Sequence, residues 1–278
     1  MIKQRLDISL VTRQITSSRS QAESWIKLGK VTVDGRVVMK PGHFVGENAV
    51  IKLLAEVQYV SRAGLKLASV ADIFKLDFRG KIVLDVGSST GGFTDFALRH
   101  GAKKVYAVDV GTDQLHPSLR GNYQIELHEK TDIRDFYMVP TIRTNSSVSD
   151  LPSMPKINSE SSLHNPIIRR IVRVVSIMPD IIVMDVSFIS LREILPHLVN
   201  NLSSPQTQLV AMVKPQFEAG KDQTNKGVIK NDAMRRQILK DFEEWSRQYF
   251  VIQNKRDSDV AGAKGNQERF YLLKPITK

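Results

Sequence analysis

The run Lys81-Ile82-Val83-Leu84-Asp85-Val86-Gly87-Ser88-Ser89-Thr90-Gly91-Gly92-Phe93 has the residue types and spacing that most directly suggest chemistry. Apolar and β-branched residues lead into Asp85, and a glycine-rich turn then opens what reads as a helix. Glycines at such a strand–turn–helix junction let a ligand approach the backbone closely. The spacing G-x-x-x-G-G departs from the G-x-G-x-x-G dinucleotide fingerprint. A second apolar run, Lys104-Val105-Tyr106-Ala107-Val108, ends in Asp109, where a carboxylate can accept both hydroxyls of a ribose. A nucleoside ligand without a pyrophosphate suits this combination, and S-adenosylmethionine is the commonest such ligand.

Four more polar residues stand where catalysis would take place. Lys66 lies in Ser61-Arg62-Ala63-Gly64-Leu65-Lys66-Leu67, and Asp185 ends the run Ile181-Ile182-Val183-Met184. Lys214 follows Leu209-Val210-Ala211-Met212-Val213, with Pro215 halting the strand, and Glu268 follows Gly265-Asn266-Gln267 just before the last strand. In open α/β sheets the carboxyl ends of the strands form the ligand crevice, so Asp185 and Lys214 should face it. Glu268 precedes its strand, so only an antiparallel last strand brings it to the same edge. Taken singly, each of the four reads better as a surface or salt-bridging residue. Convergence is what a catalytic reading requires.

These residues need a scaffold. From about Ser61 the chain alternates strand and helix, with strands expected at 82–86, 104–109, 123–129, 180–186, 208–213, 249–255 and 269–274. That alternation predicts a mostly parallel sheet covered on both faces. The Ser/Asn/Pro-rich stretch 140–166 reads as a mobile insertion, and Ile167 to Arg173 as a segment that packs back as a helix, with contact to RNA as the alternative. The division expected is a first domain at 1–59, a linker at 60–67 and a second domain at 68–278.

In the first domain Ser18 caps a helix whose apolar stripe is Ala22, Trp25, Ile26 and Leu28, and Gly29 ends it. Val31-Thr32-Val33-Asp34-Gly35-Arg36-Val37-Val38 reads as two strands around an Asp-Gly type I′ turn. Arg5, Arg13, Arg19, Lys27, Lys30 and Arg62 are the basic residues able to line a phosphate-facing surface; a solvated helix face is the plainer alternative.

Composition narrows the classes. The net charge of +11 and the pI of 9.8 fit a protein attracted to phosphate backbones. There are no cysteines, which excludes disulfides and thiolate zinc sites, and the six histidines show no ligand spacing, so no metal is expected. No long apolar span or signal-peptide core is present, so no membrane association and a cytoplasmic location are expected.

Two resemblances sharpen this reading. Ser18-Arg19-Ser20-Gln21-Ala22, the Lys30 to Gly35 hairpin and Lys40-Pro41 resemble the S4 RNA-binding domain, a small α+β unit. The glycine turn Gly87 to Asp95, Asp185-Val186-Ser187-Phe188-Ile189-Ser190-Leu191, Val213-Lys214-Pro215-Gln216-Phe217-Glu218 and Gly265-Asn266-Gln267-Glu268 together resemble the TlyA family. Members are hemolysin-annotated ribosomal RNA 2′-O-methyltransferases with an S4 domain fused to an FtsJ-like domain.

The resemblance implies a Rossmann-like methyltransferase sheet, mostly parallel with an antiparallel last strand. It also implies S-adenosylmethionine as cofactor and ribosomal RNA or a ribosomal subunit as partner. By resemblance Lys66, Asp185, Lys214 and Glu268 match a Lys-Asp-Lys-Glu catalytic tetrad. Asp85, the Gly87 to Phe93 turn and Asp109 match the cofactor site, and Asp132 matches an adenine-contacting acid. The implied target is a cytidine, and the short chain ends resemble the type acting on the large subunit alone.

Three departures stand out: Ala63 where the family has glycine, Thr112-Asp113 for an aromatic-glycine pair, and Lys226 to Asp232 for G-G-V-V-R-D.

The chemistry implied is alignment of a ribose hydroxyl with an activated methyl, with removal of one proton. A lysine serves as base only when desolvation or cationic neighbours lower its pKa from about 10.4. Lys214 is assigned that role, with Lys66 orienting the hydroxyl, Asp185 holding Lys214, and Glu268 positioning Lys66 or the ribose. The competing readings are a base methyltransferase on the same fold, an assembly factor with a vestigial methyltransferase domain, and a pore-forming hemolysin. The first lacks an Asn/Asp-Pro-Pro-aromatic motif, and no amphipathic membrane segment supports the last.

Overall fold

The computed structural model of the chain describes residues 3–16, 18–54, 59–138, 173–175, 177–220, 224, 227–229, 231–260, 262 and 265–276. The expected insertion at 140–166 and the helix expected over 167–172 lie outside these. Arg173 opens a strand rather than closing a helix.

The N-terminal unit contains β1 (Lys3–Arg5), α1 (Leu6–Thr12), α2 (Arg19–Lys27), β2 (Val31–Val33), β3 (Arg36–Val37), β4 (Phe44–Gly46) and β5 (Ile51–Leu53). Ser18 caps α2 by accepting from the Gln21 N–H at 3.2 Å. Asp34 (φ 49°) and Gly35 (φ 79°) both take positive φ, as a type I′ hairpin turn requires. β2 sits between β3 and β5, and β1 pairs antiparallel with β4. Leu6, Leu10, Trp25 and Ile26 are buried, and their cluster continues into Tyr59, Leu65, Val70 and Phe74. The unit therefore shares an apolar core with the residues from Tyr59 onward. Gln21 Nε2 reinforces the join by donating to the Tyr59 carbonyl at 2.9 Å.

The segment expected as a linker is mostly helix: α3 spans Arg62–Ala71 and carries Lys66 inward. It packs on α4 (Gly92–Arg99), and glycines permit the approach. A Cβ on Gly64 would lie 3.0 Å from the Gly92 carbonyl, and one on Gly92 would meet Ala63 Cβ at 2.7 Å.

The main sheet has β6 (Ile82–Val86), β7 (Lys104–Val108), β8 (Ile125–His128), β11 (Ile181–Met184), β12 (Gln208–Val213), β13 (Phe250–Asp257) and β14 (Arg269–Pro275). Its order is β13-β14-β12-β11-β6-β7-β8, with β6, β7, β8, β11 and β12 parallel and β14 antiparallel to both neighbours. β9 (Phe136–Met138) and β10 (Arg173–Val175) form a separate parallel pair. Helices α5 (Leu195–Asn201), α6 (Pro215–Glu218) and α7 (Asp232–Ser246) complete the chain.

Central strands read as continuous apolar runs because both faces are covered. Val83, Val105, Val183 and Val210 point into one core, and Leu84, Tyr106, Ile182 and Leu209 into the other. Strand order reverses between β6 and β11, and the crevice outside the carboxyl ends of an α/β sheet opens at such a switch point. The expected strand 104–109 stops at Val108. Asp109 is the next residue out, its N–H still donating to the carbonyl of His128 at the end of β8 at 3.0 Å.

Candidate active site

At the end of β6, Gly87 (φ 79°) turns the chain past β11. A side chain there would press on Val186 at 3.0 Å and on the Asp185 carbonyl at 3.1 Å. The Gly87 and Ser88 N–H groups both donate to the Val108 carbonyl, tying the turn to β7. Asp109 is held on both oxygens: the Ser89 N–H donates to Oδ2 at 2.8 Å and the Gly111 N–H to Oδ1 at 2.6 Å.

A cavity of about 360 Å³ opens over the carboxyl ends of β6, β7, β8 and β11. Of the residues expected to hold a cofactor, Gly87, Ser89, Asp109 and Asp132 line it; Asp85, Ser88, Thr90, Gly91, Gly92 and Phe93 do not. The Phe93 side chain is core, its ring 6.2 Å from that of Phe270. Asp132 accepts from Arg134, whose Nη2 lies 2.6 Å from Oδ2. Sequence reasoning missed the apolar wall, including Val110, Ile133 and Phe188, because nothing local marks a loop residue as lining a cavity.

Asp85 lies wholly buried beneath the turn. Thr94 Oγ1 donates to its Oδ2 at 2.7 Å, and its Oδ1 has no hydrogen-bond partner among the described residues. Burial pushes this carboxyl up to about 7, against the Thr94 hydrogen bond and with the help of the Asp185 and Asp109 charges. A buried orphan oxygen beside a glycine cradle suits a ligand that brings a cation or donor, as S-adenosylmethionine does with its ammonium and sulfonium.

The four candidate catalytic residues form two ion pairs at the same edge. Lys66 Nζ lies 2.5 Å from Glu268 Oε2, both side chains almost fully buried. Lys214 Nζ lies 2.8 Å from Asp185 Oδ1, close enough for an ion pair though not aligned for a hydrogen bond, and donates to Ser187 Oγ at 2.6 Å. The register joins the pairs. Val213 on β12 stands opposite Arg269 on antiparallel β14, so Lys214 and Glu268 are the next residues out on adjacent strands. Asn266 braces this corner, its Nδ2 donating to the Gly227 carbonyl at 2.9 Å and its Oδ1 accepting from the Ile229 N–H at 3.1 Å. Arg235 Nε donates to the Gln267 carbonyl at 3.0 Å.

The expected RNA-facing cations divide into two sets. Arg5 and Arg19 donate to the buried Asp7 at 2.8 Å each, and Arg13 donates to the carbonyls of Gly46, Glu47 and Ala49. These guanidiniums hold the N-terminal unit together. Lys27 and Arg62 instead line a small groove between α2, the start of α3 and Asp259, Val260, Gly262 and Gly265, and Lys30 is exposed. The departure at Asp113 has a local account. It takes φ 58°, which aspartate tolerates better than most residues, and pairs with Arg120 Nη1 at 2.7 Å. Among the described residues no helix is long and apolar enough to cross a membrane, and no His/Asp/Glu group could hold a metal.

The FtsJ-like methyltransferase family matches residues 59–274, and the S4 domain matches residues 4–51. The chain is 36% identical to Hemolysin A of Brachyspira hyodysenteriae over 95% of its own length and 97% of that protein. It is 32% identical to the 16S/23S rRNA (cytidine-2′-O)-methyltransferase TlyA of Mycobacterium tuberculosis, over 98% of this chain and 90% of that one. The 23S rRNA (cytidine-2′-O)-methyltransferase TlyA of Campylobacter jejuni is 35% identical, over 80% and 72% respectively. A solved structure from Streptococcus thermophilus, also named for hemolysin, aligns with all of this chain and 90% of its own at 31% identity and a TM-score of 0.63. The chain therefore belongs to the TlyA family, as an S4 domain followed by an FtsJ-like methyltransferase domain.

Proposed function

We propose that this protein transfers a methyl group from S-adenosylmethionine to the 2′-hydroxyl of a cytidine in ribosomal RNA. The observation that carries the reading is the meeting of two Lys–carboxylate pairs, Lys66–Glu268 and Lys214–Asp185, at the strand edge beside the cavity. 23S rRNA is common to the names of both TlyA relatives, so the large subunit is the proposed substrate.

Gly87, Ser89, Asp109 and Asp132 would hold the cofactor, with Asp109 offering its remaining lone pairs to the ribose hydroxyls. When bound, S-adenosylmethionine supplies a methyl already activated on a sulfonium. The protein's task is to align a weak nucleophile and take its proton. Lys214 stands between Asp185 and Ser187; once its ammonium has released a proton to solvent, the free amine receives the proton of the 2′-hydroxyl. Lys66, fixed by Glu268, orients that hydroxyl and adds positive charge beside it. The S4 domain with Lys27 and Lys30, and Arg62 of the adjoining α3, supply RNA affinity; among the described residues these three are free of the intramolecular bonds that engage Arg5, Arg13 and Arg19.

Two measurements test this reading. Mapping 2′-O-methyl groups on large-subunit RNA, before and after incubation with protein and cofactor, should show one new methylated cytidine. No new 2′-O-methyl group, or methylation on a base, would refute it. Calorimetry should give S-adenosylmethionine binding that Asp109→Ala weakens about ten-fold or more through loss of two charge-assisted hydrogen bonds.

A further inference from the structure

Two loops carry the Lys214–Asp185 pair, one leaving β11 and one leaving β12, and a third residue fastens them together. Glu218 closes the short helix α6 that follows Lys214, and its side chain is 1% exposed. Its Oε2 accepts from Ser190 Oγ at 2.6 Å and its Oε1 from the Leu191 N–H at 2.7 Å. Both donors belong to the loop that holds Asp185 and Ser187. Arg192 Nε lies 3.6 Å from the same carboxylate. Beside this staple the Phe188 and Phe217 rings meet at 5.3 Å, again one from each loop.

The stapled loop needs holding. Phe188 has φ 66° and is 91% exposed, so a bulky aromatic keeps a left-handed backbone with little burial to stabilise it. Such a conformation persists only where surrounding contacts over-determine it. The contacts available are Lys214 to Ser187 on one side and Glu218 to Ser190 and Leu191 on the other. A buried carboxyl is costly unless its hydrogen bonds are made, and burial raises this one above its ordinary range. Glu218 lies outside the lining of the cavity.

We propose that Glu218 is a positioning residue which, through Ser190 and Leu191, fixes the loop carrying Asp185 and Ser187 and thereby sets the Lys214 amine. This rests on the reading of Lys214 as the residue acting on the ribose hydroxyl. Loss of the staple lets the strained turn relax, and Lys214 loses its registration with Asp185 and Ser187.

The test uses the full chain, large ribosomal subunits and radiolabelled S-adenosylmethionine, with a second measurement that needs no activity. Acylation of the Lys214 amine by an amine-reactive ester, followed by peptide mass spectrometry, reports how firmly that amine is held. Glu218→Ala should raise Lys214 labelling several-fold and slow single-turnover methyl transfer on the order of ten-fold or more, as misplacement of a reacting group does. Glu218→Gln keeps an acceptor for the Leu191 N–H and should restore both readouts most of the way to wild type. If Glu218→Ala does not fold, Ser190→Ala removes one of the two bonds, keeps the carboxylate and carries the same labelling test. Unchanged Lys214 labelling in a folded Glu218→Ala or Ser190→Ala protein would overturn the proposal. A wild-type protein that transfers no methyl would instead overturn the functional reading, leaving the labelling result to judge the staple.

Discussion

Lys66 and Glu268, 202 positions apart in the chain, meet at 2.5 Å with side chains 9% and 3% exposed. The pair ties α3, which continues from the N-terminal unit, to the start of the last strand. Burying two charges is tolerated because each compensates the other; removing one strands its partner in a poorly solvated place. Glu268→Ala or Lys66→Ala alone should each lose about 3 kcal/mol of stability. The double variant Lys66→Met, Glu268→Leu should recover most of that loss while remaining inactive. Urea denaturation of the four proteins decides it. A double variant as unstable as the sum of the singles would mean that each charge is held mainly by something else.

The Asp85 carboxyl gives folding stability a distinctive pH dependence. Burial raises it to about 7 in the folded chain, above the ordinary value near 3.8 that it regains on unfolding. Between these values the folded state holds a proton that the unfolded state has released, so this group makes stability fall as pH rises. Below about 4 both states are protonated, and above about 7 both are ionised, so the slope vanishes at each end. Asp85→Asn removes the group. The stability of Asp85→Asn relative to wild type should therefore grow by up to about 1.4 kcal/mol per pH unit across this window. Parallel curves for the two proteins from pH 4 to pH 7 would contradict the assignment.

Arg13 and Lys27 should separate structure from RNA affinity. Arg13 spends its two terminal nitrogens on three backbone carbonyls of the loop at 46–49, whereas Lys27 faces the groove beside Arg62. Arg13→Ala should lower stability by about 1 kcal/mol and leave the salt dependence of RNA binding nearly unchanged. Lys27→Ala should leave the melting curve unmoved and reduce the salt slope of RNA binding by about one. Filter binding at several salt concentrations, beside thermal melts, reads both. The opposite pattern would return Arg13 to the RNA face.

The contrast between these two cations shows where sequence reading runs out. An arginine on a helix looks the same whether it meets phosphate or a carbonyl of a loop that folds over it from some 35 positions away. The seven-residue α1 escaped detection for a related reason: it is short, and its buried Asp7 is offset by arginines that read as free. The glycine turn, the hairpin at Asp34-Gly35 and the central strands were legible because each is set by local pattern: apolar runs, turn chemistry and caps. The direction of β14 is a long-range property. Glu268 became adjacent to Lys214 only through the β12–β14 register. Ser187 and Glu218 meet partners 27 or 28 positions away, and no spacing rule marks such contacts. Their places at strand ends and loops singled out the four polar residues, resemblance grouped them as a tetrad, and the fold then brought them into pairs.

Lys214 is the sharpest test of the chemistry. Its Nζ lies 2.8 Å from Asp185 and donates to Ser187 at 2.6 Å, so its position is fixed before any RNA arrives. Lys214→Ala should abolish methyl transfer while leaving cofactor and ribosome affinity within a few-fold of wild type, since this side chain does not line the cavity. Lys214→Arg separates the two duties. A guanidinium keeps the positive charge beside Asp185, but it cannot give up its proton near neutral pH and present a free lone pair. If Lys214 takes the hydroxyl proton, the arginine variant should be as inactive as the alanine variant in single-turnover methylation, with binding measured separately for each. If the residue supplies only charge and placement, arginine should retain much of the rate. Near-normal turnover by Lys214→Arg would assign proton removal elsewhere and leave Lys214 as the group that holds the hydroxyl in line.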